Sequence, residues 1–158
     1  MSEKQPLALQ TVKRYMWLSG AAGLVPLPLV DLIAVSGVLL KMLADISKIY
    51  GFPFQASRGK MLIGSLMGYV LPNALSFELI GSWLKTIPLV GTLAGQPAMA
   101  LFSAASAWAL GAVFIQHFES GGTFLNFDPE AVKEFYRAQF DVGQKVATHM
   151  RADKKAPA

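Results

Sequence analysis

The chain has 158 residues, enough for one compact domain rather than two. Hydrophobic residues make up 53% and charged residues only 15%, against roughly 25% charged in an ordinary soluble domain, and the mean hydropathy is +0.42. That composition excludes a disordered tail and makes a bilayer the natural solvent to consider. With no cysteine, a disulfide framework, a thiolate metal site and a Cys nucleophile are excluded. The formal net charge is +4, but the Lys and Arg residues are scattered rather than clustered with aromatics. Scattered cations at segment ends point to a membrane face and away from nucleic acid.

The first predicted helix covers about 6–23. It begins polar, with no signal-peptide pattern, and turns apolar at Tyr15-Met-Trp-Leu18. Tyr15 and Trp17 beside Lys13 and Arg14 read as membrane-interface anchors, because amphipathic rings and cations settle at headgroup level. Pro26 and Pro28 then break the helix in a turn that is apolar, where a soluble protein's turn is polar. A second helix is predicted over 28–50, with Pro28 in its first turn, Asp31 near its positive end and Gly51 as its stop. Residues 61–77 carry no charge. Pro72 predicts two half-helices meeting near Asn73, with Glu78 following.

Residues 86–116 also carry no charge. They open on a second apolar turn, Ile87-Pro88-Leu-Val-Gly91. The body, 93–115, is long enough at about 1.5 Å per residue to cross a hydrocarbon layer of about 30 Å. Ala100, Ser103, Ala104, Ala107 and Gly111 form a stripe of small residues that lets a second helix approach closely. Ser120-Gly-Gly122 ends the stretch. Asp128-Pro-Glu130 predicts the start of a last helix, amphipathic to Met150, that lies on a membrane surface or packs on the domain.

These elements predict an all-α fold: a helical-hairpin membrane domain over 1–125, an amphipathic surface helix over 126–151 and a flexible basic tail over 152–158. The turns at Pro26 and Pro28 and at Pro88 and Gly91 are the tips of two hairpins, suited by their apolarity to dipping into lipid. A weak internal repeat of the two turns accompanies them.

Catalytic motifs are missing from the sequence: there is no phosphate-binding loop, HExxH, GxSxG or EF-hand loop. His117 and His149 stand far apart, with no metal-ligand pattern. No cofactor is therefore expected. Asp31, Glu78 and Gln96 are candidate intramembrane polar residues. Their first reading is structural: Asp31 serves helix-start electrostatics, and Glu78 an interfacial pair with Lys60 or Lys85. An ion site in broken helices is the alternative.

The order of short elements is distinctive: Pro28-Leu-Val-Asp31, Ile46-Ser-Lys-Ile-Tyr50-Gly51, Ile87-Pro-Leu-Val-Gly91, a small-residue helix, then Phe118-Glu-Ser-Gly-Gly122. It resembles the bacterial "domain of unknown function 697" family of YcjF-type membrane proteins over most of residues 15–145. The resemblance implies a membrane-associated helical module working with a partner, often an Era-like GTPase, and supplies no active site. The expectation is a non-enzymatic integral membrane protein in the bacterial inner membrane, with cytoplasmic termini. It would scaffold a partner or self-associate to shape the membrane. A transporter or pore subunit using Asp31 and Glu78, and a soluble carrier of hydrophobic ligands, are the alternatives.

Overall fold

The computed structural model describes the backbone of residues 2–22, 28–75 and 88–155, and the side chains of 2–21, 34–70 and 100–150. Among these residues the regular structure is entirely α-helical: α1 (Lys4–Ala22), α2 (Pro28–Tyr50), α3 (Ala56–Leu75), α4 (Pro88–Glu119) and α5 (Lys133–Lys155). Two glycines set where the chain turns. Gly51 has φ +80° and Gly121 φ +86°, a left-handed conformation that only glycine adopts cheaply. After α2, the Gly51 and Phe52 amides donate back to the Lys48 and Ser47 carbonyls at 3.2 and 2.9 Å. After α4, Gly121 and Gly122 donate to Phe118 and His117 at 3.0 and 2.9 Å. Both are Schellman closures that satisfy the last carbonyls of a helix.

Several predicted boundaries shift. α3 runs through Pro72 and Asn73 to Leu75 without a break. Pro88 and Gly91, expected in a turn, lie in the first turn of α4, where the fixed φ of proline is pre-organised and its missing N–H is no loss. α5 starts at Lys133 rather than Asp128. The Asp128 carboxylate caps an Asx turn instead, accepting from the Glu130 amide at 3.0 Å. α5 then continues to Lys155, so residues 152–155, expected in a loose tail, are helical.

α4 is the hub, in contact with all four other helices and most extensively with α5 and α1. It runs antiparallel to both. Its Ser103 carbonyl accepts from the Ser19 hydroxyl at 3.0 Å, and Trp108 Nε1 donates to Gln139 at 3.1 Å. α2 runs antiparallel to α1, and the short connection 51–55 brings α3 back beside α2. Ala100–Glu119 is long and apolar enough to cross a membrane, but 72% of its apolar window is buried inside the protein. The apolar length read from the sequence as a bilayer span is thus largely taken up by protein contacts, because α4 sits at the centre of the bundle.

Around it, Val12 and Met16 of α1, Leu39, Met42, Leu43 and Ile46 of α2, Leu62 and Leu66 of α3, and Leu110 and Phe114 of α4 are fully buried. Each such side chain stabilises the fold by roughly 1.5–3 kcal/mol relative to exposure.

Candidate functional site

Small residues let α1 and α5 approach α4 from two sides. Ala100, Ser103, Ala104, Ala107 and Gly111 are all buried. A Cβ on Gly111 would overlap the Val12 side chain of α1, lying 2.9 Å from its Cγ1. Near the other end of the same seam, Gly20 of α1 faces the Ala100 carbonyl and the Ala104 methyl. On the α5 side, a Cβ on Gly143 would lie 2.8 Å from the Ala105 carbonyl oxygen and 2.9 Å from Trp108 Cβ. Sequence reasoning singled out the α1-facing stripe but not Gly143. Its only local signal is a glycine within an amphipathic helix, next to Val142, which is 39% exposed.

The α4–α5 seam also encloses two hydroxyls. Ser106 and Tyr136 are fully buried. The Tyr136 phenol faces Ser106, with neither oxygen in a well-formed hydrogen bond. Burial pushes the Tyr136 phenol well above its ordinary range and keeps it neutral. Because an unsatisfied buried hydroxyl costs about 1–3 kcal/mol, Tyr136→Phe is expected to raise stability by about 1 kcal/mol. Urea unfolding followed by circular dichroism checks this, and a lower midpoint would show that the hydroxyl has a partner.

The helix ends define two different poles. The antiparallel pairings turn the end of α1 (Ala22), the start of α2 (Pro28), the start of α4 (Pro88) and the end of α5 (Lys155) toward the same side of the bundle, while Tyr69 of α3 donates to Glu130 at 2.7 Å just ahead of α5. The helix ends flanking residues 23–27 and the start of α4 therefore lie on the same side of the bundle. Pro26 and Glu78 lie outside the described residues. Asp31, Gln96, Pro28, Pro88 and Gly91 lie on described helical backbone, with side chains outside the described set.

The opposite pole is aromatic and hydrogen-bonded. Phe114 stacks on Phe127 at 4.4 Å and 4°, and packs near Phe124 and Phe118 at 5.3 and 5.8 Å. Arg58 of α3 clamps the loop above them, donating to the Phe124 and Leu125 carbonyls at 2.5 and 3.1 Å. His117 Nε2 lies 2.8 Å from the Thr123 carbonyl and 3.1 Å from Asn126 Oδ1. This is a loop-closing role. Glu119 accepts from the Ser2 hydroxyl and from Tyr50 Oη; these bonds hold its carboxyl below the usual range. Among the described residues no group of acidic or imidazole side chains could hold a metal.

Of the four expected interface anchors, Lys13, Arg14 and Trp17 are exposed. Tyr15 is not: it is 3% exposed and donates to Asp45 Oδ2 at 2.5 Å. Burial and the Asp45 carboxylate raise its pKa. Helical geometry explains the difference, because Tyr15 shares the inward face of α1 with Ala8, Val12 and Met16.

The family model for the domain of unknown function 697 matches residues 1–145. The chain belongs to that family. Among its relatives is magnetosome membrane protein 22 of Magnetospirillum gryphiswaldense, 35% identical over 152 residues, which span 96% of this chain and 78% of the relative. No solved structure matches. As a member of the family, the chain presents an all-α bundle with two unlike poles.

Proposed function

We propose that the protein is a non-enzymatic, membrane-associated helical module that docks one pole of its bundle in lipid and scaffolds a partner from the rest of its surface. The observation that carries this reading is the apolarity of the segments 23–27 and 76–87, the first of which joins α1 and α2 on the side of the bundle where α4 begins. In sequence those segments are Gly-Leu-Val-Pro-Leu and Ser-Phe-Glu-Leu-Ile-Gly-Ser-Trp-Leu-Lys-Thr-Ile: apolar, with Glu78 and Lys85 their only charges. Two such connections suit entry into a bilayer by a domain whose central helix is already occupied by protein contacts. α5 ends at the same pole with Arg151, Lys154 and Lys155, cations of the kind found at headgroup level. The name of the Magnetospirillum relative supports a membrane setting. The family resemblance makes an Era-like GTPase the first partner to test, at the inner membrane with termini on the cytoplasmic side. The small-residue seams serve packing within the chain. Self-association is a further element of the reading, checked by cross-linking in detergent.

The chain has no cysteine, so single cysteines report depth cleanly. An environment-sensitive fluorophore on Leu27→Cys or Ile87→Cys is expected to shift to the blue when vesicles are added. The same label on Lys48→Cys or Lys133→Cys stays at its aqueous wavelength. No shift at either tip, together with full release of the protein from membranes by alkaline carbonate, would overturn the reading.

A further inference from the structure

The outer face of α1 differs from the rest of the surface. Leu7, Trp17 and Leu18 are 54%, 41% and 49% exposed, and they alternate with exposed Lys13 and Arg14. On a helix these positions fall on one side. Lys41 of α2 joins them: Arg14 and Lys41 both reach Asp45, at 3.3 and 3.9 Å, with side chains 63% and 72% exposed. Lys13, Arg14 and Lys41 thus line this face as a cationic collar, the latter two sharing the Asp45 carboxylate, which also accepts from Tyr15. Trp17 and Leu18 lie one turn nearer the C-terminal end of α1.

The charge is lopsided across the bundle. Among the described side chains, the stretch 2–50 carries Lys4, Lys13, Arg14, Lys41 and Lys48 against Glu3 and Asp45. The stretch 128–150, on the other side of α4, carries Lys133, Arg137 and Lys145 against Asp128, Glu130, Glu134 and Asp141. α1 and α5 both pack on α4 and make no substantial contact with one another, so these surfaces face different ways.

We propose that the α1 face, with Lys41, is a docking surface for anionic lipid headgroups, and that it tilts the bundle so that α5 faces away from the membrane. The proposal rests on the membrane reading above and adds the lipid class and the orientation. The collar is complementary to a negative leaflet surface. The exposed Trp and Leu beside it match the arrangement of an interfacial helix, whose aromatic and aliphatic side chains enter the boundary layer while its cations stay in the headgroups. α5 lacks that arrangement, since its outer face is mixed in charge.

Flotation of the full chain with vesicles of phosphatidylcholine alone, and of phosphatidylcholine with phosphatidylglycerol, tests this. The expected result is tighter binding to the anionic vesicles, weakening as salt is added. Lys13→Gln with Lys41→Gln should reduce partitioning to anionic vesicles by about 25-fold, roughly fivefold per cation, and leave binding to phosphatidylcholine and the circular dichroism spectrum unchanged. Lys133→Gln with Lys145→Gln should leave both unchanged. Equal binding of the wild-type chain to both compositions overturns the lipid class. Anionic preference surviving in the α1–α2 pair, or lost equally in the α5 pair, overturns the face. Binding to neither vesicle removes the membrane reading itself, and this assignment with it.

Discussion

Phe114→Ala is expected to destabilise the bundle by about 3–5 kcal/mol, the range for truncating a fully buried phenylalanine. Phe114 is 0% exposed. Its ring is the common neighbour of Phe118 in its own helix and of Phe124 and Phe127 in the following loop. Truncation removes these ring contacts together and leaves a cavity under a loop that Arg58 holds in place by its carbonyls, so the site cannot easily collapse. For a chain of this length the change corresponds to a fall of roughly 10–15 °C in Tm. Leu125→Ala is the matched control: Leu125 lies in the same loop but is 72% exposed, and its loss should move stability by less than about 0.5 kcal/mol. Thermal melts of the two variants decide the matter. Comparable falls would mean that the loop, rather than the rings beneath it, carries the stability.

The second large effect belongs to the α4–α5 seam. In an exposed helix, Gly→Ala stabilises by about 1 kcal/mol through backbone entropy. Gly143→Ala should do the opposite. The added methyl would lie 2.8 Å from the Ala105 carbonyl oxygen and 3.0 Å from Ala105 Cα, and backbone atoms cannot swing aside as a side-chain end can. The helices must separate, and overpacking of this kind costs about 1–3 kcal/mol. Gly143→Val should cost more. Gly64→Ala and Gly68→Ala on α3 have nothing within 4 Å of the new methyl, so each should stabilise by up to about 1 kcal/mol. Chemical denaturation of the four variants gives opposite signs if helix separation governs the α4–α5 seam, and the same sign if helix propensity alone does.

Much of the local structure is legible in the residues themselves. α2 begins at Pro28 and ends before Gly51 because a proline at the first helical position and a glycine just past the last are signals confined to one turn. The stop at Ser120-Gly-Gly122 is equally local. The stripe from Ala100 to Gly111 is visible as spacing, since a helix repeats every 3.6 residues whatever surrounds it. The break expected at Pro72 failed for a matching reason: a single proline weakens one turn but does not say how much helix follows. Tyr15 shows the limit most clearly. Beside Lys13, Arg14 and Trp17 it reads as an interfacial ring, yet its angular position on α1 points it inward to Asp45, thirty residues away.

The amino-acid order alone specified an all-α chain, its glycine stops and the spacing of its small residues, since each is a property of neighbours within a turn or two. Tertiary packing decided the rest. It put α4 at the centre, so that the most apolar stretch is taken up mainly by other helices. It brought Phe52, Phe54, Phe114, Phe118, Phe124 and Phe127 from three segments into one cluster. It turned Gly143 onto the Ala105 backbone, and brought Arg14 and Lys41 to one carboxylate. Burial and charge proximity between distant segments depend on which faces meet, and helical periodicity specifies a face without specifying its neighbour.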